Sequence, residues 1–329
     1  MRDSGMGEGR WVELDEVAQG PGPYTMSFGF TLEVLRESVA KAGVLNPPLV
    51  SRNEKGGWDV VSGYRRILAL KALAQSKVFC RDVTSAMPSA PERLLAAFYE
   101  NVATRKFNDI EKAMILERLQ KFFSIEEICA SFMPLLSLPR HEGTLKLYLR
   151  LVNLEENIRQ AVAKETISLR TLKTLFEFDE ASQRILLQDI LRLRLNLNQQ
   201  TKFLDYVRDI ALREHLSILE VLSERRFVEV VENPLTNYPQ KANAALELLR
   251  LRRYPRLSQA RRAIQSRISA IAFPPGVTLY HDPFLEAPKY RLEICFTNGE
   301  DLNQSIKKLH SLEELKTIPD LWQAHESQD

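Results

Sequence analysis

The first ninety residues alternate between amphipathic and short apolar runs. TLEVLRESVAKAGV has apolar residues at helical spacing, which predicts a helix that Thr31 caps and that ends near Gly43. PPLVSR and WDVVSG, separated by the turn NEKGG, are typical of strands. RRILALKALAQ is typical of a helix, and KVFCRDV of a closing strand. The pattern predicts a small α/β unit.

Helical periodicity dominates after this unit. Asn108 or Asp109 is the predicted cap of one helix, with Glu111 on its polar face. SIEEICASF is a short helix with Ser124 as cap and Glu127 as its capping-box partner. The loop MPLLSLPRHEG leads to the helix TLKLYLRLVNL. This order is the pattern of a helix-turn-helix, but the loop looks about twice as long as the usual turn of roughly 3–4 residues, so a plain helical bundle stays an alternative.

Leucine-rich helices continue beyond this motif, and Pro255 is expected to end or kink one of them. GVTLYHD and YRLEICFTN then alternate like strands joined by a Pro-rich loop, and a helix follows. The sequence thus predicts an α+β multidomain fold. Its predicted parts are an N-terminal segment (1–30), an α/β domain (31–90), a helical helix-turn-helix domain (91–180), a helical extension with a basic cluster (181–270) and a small C-terminal α/β domain (271–329).

Composition is that of an ordinary globular protein, with 44% hydrophobic and 27% charged residues in 329. The three cysteines are far apart and have no metal-ligand spacing, which argues against a disulfide framework and a structural zinc site. No signal peptide or membrane-length apolar stretch is visible, so we expect a cytoplasmic protein without a membrane partner.

Charge is unevenly distributed along the chain. The net charge is +2, yet residues 240–269 carry eight basic side chains against Glu247 alone. A local excess of this kind is what an anion-binding surface requires, although a solvated helix face would show the same count. Gly63 offers a second anion site, because it separates a strand from a helix that begins with Arg65 and Arg66. Those arginines could equally be solvated.

Five segments resemble, in the same order, blocks of the ParB-type chromosome and plasmid partition proteins. They are KAGVLNPPLV, VVSGYRRILALKAL, ENVATRKFNDIEKAM, SIEEICASF and LRLVNLEENIRQAVAKETISLRTLKTL, which together cover about residues 30–180. The second and third are similar to the family's Gly-x-Arg-Arg and Glu-Asn boxes. The fourth and fifth are similar to its DNA-binding helices.

The resemblance implies binding of CTP with Mg²⁺ and a dimeric clamp around double-stranded DNA. By motif, the implied nucleotide-binding residues are Asn46, Leu49, Gly63, Arg65, Arg66, Glu100 and Asn101, the last two also near Mg²⁺. Arginine forks match phosphate oxygens, and carboxylate and amide oxygens suit Mg²⁺. The implied DNA-facing residues are Arg140, His141, Lys146 and Arg150.

The sequence also departs from the family pattern. Tyr64 stands where a glutamate is usual, and Ala103 and Thr104 stand where Gln-Arg is usual, with Arg105 one place later. These changes favour nucleotide binding over CTP hydrolysis. A homodimer is implied, but the family's basic tail for a ParA-type ATPase partner is missing, since residues 1–20 hold two basic side chains against five acids.

Two other classes of function stay open. One is a transcription regulator or structural DNA-binding protein with a vestigial nucleotide pocket. The other is a small-molecule kinase or phosphohydrolase on the same fold, with Glu100 as its candidate base. Turnover without stimulation by DNA would distinguish the enzyme.

Overall fold

The computed structural model describes residues 7–281 and 289–318, and the chain divides into two compact units, Met1–Phe178 and Asp179–Asp329. The α+β class predicted from the sequence is confirmed. The Pro-rich loop predicted near the C-terminus lies largely outside the described residues. No helix in the described ranges combines the length and the apolar character that crossing a bilayer requires.

A four-stranded sheet organises the start of the first unit. Its elements are β1 (Glu8–Glu13), α1 (Glu33–Ala42), β2 (Leu49–Arg52), β3 (Trp58–Ser62), α2 (Tyr64–Ala72) and β4 (Lys77–Asp82). The strand order is β1-β4-β2-β3, with β2 and β4 parallel and the other neighbours antiparallel. Val50, Trp58 and Ile67 are buried in the core between the sheet and its helices.

Two details at the N-terminus differ from the sequence predictions. Strand β1 falls in the segment for which no structure was predicted, because Val12 is its one buried side chain and the strand therefore lacks a visible alternation. The cap assigned to Thr31 is wrong. Helix α1 begins at Glu33, and its N-cap Leu32 already has helical dihedrals and no side-chain cap. The predicted end at Gly43 is confirmed, with a φ of 68° there.

Helices complete the first unit. They are α3 (Ala90–Thr104), α4 (Asp109–Leu119), α5 (Ile125–Glu127), a π-helical turn (Ile128–Phe132), a 3₁₀ turn (Pro134–Leu136), α6 (Glu142–Val152), α7 (Glu156–Ala163) and α8 (Leu169–Leu175). Asn108 caps α4, and Ser124 with Glu127 forms the predicted capping box of α5.

The second unit is a set of helices followed by a hairpin and a helix. Its elements are α9 (Glu180–Arg192), α10 (Leu197–Glu214), α11 (Ile218–Leu222), α12 (Arg225–Glu232), α13 (Tyr238–Arg253), α14 (Pro255–Ala270), β5 (Val277–His281), β6 (Tyr290–Ile294), α15 (Gly299–His310) and a 3₁₀ turn (Glu313–Thr317). Strands β5 and β6 are antiparallel. Pro255 separates two helices as predicted, as the first residue of α14, where its missing N–H costs no helical hydrogen bond.

The basic cluster of residues 240–269 carries less free charge than its sequence indicates. Three of its arginines form ion pairs, two of them with acids that lie outside the segment. The pairs are Arg250 with Glu247 at 2.5 Å, Arg252 with Glu214 at 2.6 Å and with Glu224 at 2.9 Å, and Arg253 with Asp209. Counting charges within residues 240–269 missed the pairs of Arg252 and Arg253, because the acids outside the segment lie earlier in the chain. The side chains of Arg256 and Arg261 lie outside the described set.

Candidate nucleotide cavity and helix-turn-helix face

Gly63 turns the chain from β3 into α2 with a φ of 93° and a ψ of 18°. A Cβ atom at this position would lie 3.0 Å from the Cβ of Pro48 and 3.1 Å from its Cα, so both the dihedrals and the space favour glycine. The first turn of α2 has neither a side-chain cap nor an acidic residue. Its leading N–H groups have no partner within the helix, so this end favours an anion.

A cavity of about 330 Å³ opens beside this helix end. The structure brings six of the seven predicted nucleotide-binding residues to its wall. These are Asn46, Gly63, Arg65, Arg66, Glu100 and Asn101. Leu49 lies in β2 and is not one of the lining residues. The grouping of residues from α2 and α3 in one cavity is what a single ligand site requires.

Glu100 lines this cavity and has one buried carboxylate oxygen. Its Oε1 accepts a hydrogen bond from Arg66 at 3.0 Å, whereas its Oε2 is buried and has no hydrogen-bond partner among the described atoms. The second guanidinium nitrogen of Arg66 donates to the carbonyl oxygen of Asn46. A buried carboxylate oxygen without a partner requires a donor or a cation.

The oxygen donors of the cavity fit Mg²⁺ in part. Glu100 Oε2 fits, since Mg²⁺ in nucleotide sites is held by one or two carboxylates together with phosphates and water. Asn101 fits less well in this state, because its amide oxygen accepts from Arg105 Nε at 2.8 Å and its amide nitrogen donates to Ala97 at 2.8 Å. The described residues contain no group of three or more His, Cys, Asp or Glu side chains suited to a metal.

Glu111 is a member of the site that the sequence prediction placed wrongly. It is 2% exposed rather than on a polar face, and it lies 2.6 Å from Arg65 and 2.7 Å from Arg105. The backbone N–H of Phe28 donates to it at 3.2 Å. The available signal was the spacing from Asn108 to Glu111, which is that of a capping box. In that motif the glutamate turns back toward the helix N-terminus and away from solvent.

Arg105, one place beyond the family's usual arginine, also reaches the cavity wall. Burial lowers the pKa of its guanidinium, and Glu111 opposes that shift. Ser27 accepts a hydrogen bond from Arg65 Nε at 3.1 Å. Burial raises the pKa of Tyr64, which keeps its hydroxyl neutral. The charged side chains of the cavity wall are therefore three arginines and Glu100, and Glu111 pairs with two of these arginines.

The turn before α6 is shorter than the sequence indicated. The residues MPLL are mostly helical and Glu142 and Gly143 belong to α6, so five residues, 137–141, connect the helical segments. Ser137 adopts a φ of 57°, and the N–H of Leu138 donates to the carbonyl of Met133 at 2.9 Å, which closes the turn. The predicted loop length was wrong because the 3₁₀ turn Pro134–Leu136 and the first two residues of α6 were counted as loop.

The four predicted DNA-facing residues lie in the turn or on exposed positions of α6, whereas Leu145, Tyr148 and Leu151 are buried. His141 is the N-cap of α6, and its Nδ1 accepts from the N–H of Gly143 at 3.0 Å. Lys146 pairs with Glu142 at 2.7 Å, the guanidinium of Arg150 lies 3.8 Å from the centre of the Phe176 ring, and Arg140 is exposed. His141 therefore caps α6, and its predicted contact with DNA stays a prediction.

Helix α4 contacts both the cavity arginines and helix α6. Glu111 in its first turn binds the arginines of the cavity, and Asp109, two residues earlier, accepts a hydrogen bond from the hydroxyl of Tyr148 in α6 at 2.8 Å. Burial and the Asp109 carboxylate raise the pKa of the Tyr148 phenol. One helical turn thus joins the cavity to the helix that carries Lys146 and Arg150.

Comparison with known proteins agrees with these features. Residues 105–208 match the family model of the ParB HTH domain. Stage 0 sporulation protein J of Bacillus subtilis (strain 168) is 28% identical over 221 residues, which cover 61% of this chain and 74% of that protein. The chain is similar to ParB proteins over these stretches.

Two further relatives are a chromosome-partitioning protein and a nucleoid occlusion protein. A probable chromosome-partitioning protein ParB of Campylobacter jejuni is 25% identical over 60% of this chain and 69% of its own length. A nucleoid occlusion protein of Geobacillus sp. (strain WCH70) is 26% identical over 51% and 58%, respectively. The crystal structure of a C-terminally truncated Caulobacter crescentus ParB complexed with CTP-gamma-S is 19% identical over 54% of this chain and 98% of that one, with a TM-score of 0.27. The similarity to ParB proteins rests on the sequence matches and not on this structure.

Proposed function

We propose that this ParB-like chain binds specific DNA sites through α6 and binds CTP with Mg²⁺ in the cavity beside Gly63. One observation carries the nucleotide part. The N-terminus of α2 and the guanidinium groups of Arg65, Arg66 and Arg105 surround one cavity in which Glu100 has a buried oxygen without a partner. The names of two relatives support a role in chromosome partition or nucleoid occlusion, and with it a nucleoid-associated location. Partition of a plasmid or an integrated element belongs to the same proposal.

The cavity suits a triphosphate by charge and by geometry. Planar guanidinium groups bind phosphate oxygens through paired N–H donors, and the backbone N–H groups after Gly63 add further donors. Mg²⁺ bound at Glu100 would neutralise part of the phosphate charge. Asn46 and Asn101 complete the proposed nucleotide site in this cavity, and the choice of CTP comes from the family resemblance.

The first test is binding of labelled CTP with Mg²⁺, competed by ATP, GTP and UTP. We expect preferential CTP binding that Arg66→Ala weakens about 10- to 100-fold, since a hydrogen bond to a charged group contributes roughly 1.5–3 kcal/mol. Arg36→Ala is the matched control, because Arg36 is an exposed arginine of α1 outside the cavity wall. Equal CTP affinity of the two variants would refute the phosphate role of Arg66.

The second test concerns DNA. Sites are first selected from a random duplex library, and binding is then compared at one fixed salt concentration. Arg140→Ala combined with Arg150→Ala is expected to weaken binding to a selected site at least about tenfold, since a good contact with a base edge is worth roughly 1–3 kcal/mol. Arg36→Ala combined with Lys41→Ala removes the same charge from exposed positions of α1. If both double variants bind like the wild type, α6 is not the DNA face.

A homodimer belongs to the proposal, because the family's clamp requires two chains. Contact with a ParA-type ATPase is the weaker part of it, since Arg10 is the single basic residue in positions 7–20. Sedimentation of the full chain with and without CTP would test the dimer.

A DNA-binding regulator with a vestigial pocket is the second candidate. Glu111 already pairs with both Arg65 and Arg105, and Tyr64 stands where a carboxylate is usual. Site-specific DNA binding together with no CTP binding up to about millimolar, roughly 4 kcal/mol of affinity, would favour this candidate. Nucleotide turnover that DNA leaves unchanged would instead favour the kinase or phosphohydrolase.

A further inference from the structure

A groove of about 480 Å³ lies in the second unit, between the end of α9 and the start of α13. Its charged wall consists of Arg192, Arg194, Glu232 and Lys241, and Tyr238 is its aromatic residue. The sequence prediction did not single out any of these residues except Lys241, which it counted with the basic cluster. We refer to these five residues as the α9–α13 groove.

The acids do not balance the cations in the α9–α13 groove. Glu232 pairs with Arg192 at 3.2 Å. Within the described part of the chain, Arg194 has no acidic partner, and its guanidinium lies 3.9 Å from the centre of the Tyr238 ring. The half-buried ammonium of Lys241 likewise has no acceptor among the described residues. Two cations therefore remain for an external anion, unlike Arg250, Arg252 and Arg253 further along α13.

The fold fixes the position of Arg194 in the groove. Arg194 follows the end of α9 with a φ of 50°, and its side chain stacks on the first residue of α13. Stacking holds the guanidinium plane while its edge N–H groups stay free to donate. Helix α13 has 16 residues and no acid in its first turn, which contains Tyr238 and Lys241. The ends of α9 and α12 also line the groove, so the helix dipoles oppose one another there and the positive charge of the groove comes from its side chains.

We propose that the α9–α13 groove binds phosphates of the DNA backbone, independently of base sequence and in addition to the α6 face. The proposal rests on the DNA binding proposed above. Arg194 occupies one face of the Tyr238 ring, so the groove offers charge rather than a free stacking platform for a base. Arg192 and Arg194 also fall within residues 105–208, the stretch that matches the ParB HTH domain.

The experiment measures how DNA affinity of the full chain depends on salt, with one duplex of arbitrary sequence and one selected site. Arg194→Gln combined with Lys241→Gln keeps side-chain length and removes two charges. Lys307→Gln combined with Lys308→Gln removes two charges from exposed positions of α15 and is the control. Thermal unfolding of each variant verifies the fold.

The groove variant is expected to reduce the slope of log K against log salt by about 2 on both duplexes, since each phosphate contact contributes roughly 0.9. The control is expected to keep the wild-type slope. Equal slopes for all three proteins, or an equal reduction in both variants, would overturn the groove while leaving DNA binding by α6 intact. If the wild type binds neither duplex, the proposed function fails and the groove inference fails with it.

Discussion

Glu111→Gln is expected to lower the free energy of unfolding by about 2–4 kcal/mol. The carboxylate is 2% exposed and is the shared counter-ion of Arg65 and Arg105. Removing one member of a buried ion pair usually costs roughly 3–5 kcal/mol, and the partial exposure of both arginines reduces this cost. Urea unfolding of the full chain measures the effect.

Glu37→Gln, at an exposed position of α1, is the control and should change stability by less than about 0.5 kcal/mol. In folded Glu111→Gln, three arginines would face a single carboxylate at the cavity, so CTP affinity is expected to rise. A variant as stable as the control, or one that binds CTP more weakly while folded, would show that Glu111 is not the counter-ion that restrains these arginines.

Gly63→Ala is expected to cost about 1–3 kcal/mol of stability and to abolish measurable CTP binding. Alanine would have to adopt a φ of 93°, a conformation that strains a non-glycine residue by roughly 1–3 kcal/mol. Its Cβ would also press on Pro48 at 3.0 Å and shift the start of α2, where the proposed phosphate donors lie. Chemical unfolding and CTP titration of the same preparation give both quantities.

Gly20→Ala is the matched control, because a Cβ at Gly20 meets no atom within 4 Å and its φ is not in the left-handed region. We expect it to match the wild type in both assays. If Gly63→Ala binds CTP as tightly as Gly20→Ala, the turn after β3 does not form the phosphate site.

The sequence predicted most elements that local periodicity and capping determine. Strands β2, β3 and β4, helix α2 and the caps at Asn108 and Ser124 follow from such local patterns. It also indicated Arg65 and Arg66, from the position of Gly63 between a strand and a helix, whereas Glu100 came only from a family motif. Neither motifs nor spacing indicated how far a side chain is buried: Tyr64 was visible in the sequence, but its half-burial was not.

Features that depend on distant contacts were missed. Strand β1 is defined by its pairing with β4, almost seventy residues later. Glu111 is buried because Arg65, Arg105 and Phe28 converge on it from three different segments. The free charge of the basic cluster was overestimated for the same reason. Ion pairing depends on which helices become neighbours and not on the order of residues along the chain.

The ion pairs of α2 have a consequence for dividing this protein into fragments. Arg66 is paired with Glu100 of α3, and Arg65 with Glu111 of α4, so both carboxylates lie beyond residue 90, where the α/β domain was predicted to end. A fragment of residues 31–90 would contain the cations without their partners and would also lack β1. The smallest autonomous piece that retains the cavity should run from β1 through α4, and it would carry Asp109 without the α6 tyrosine that binds it.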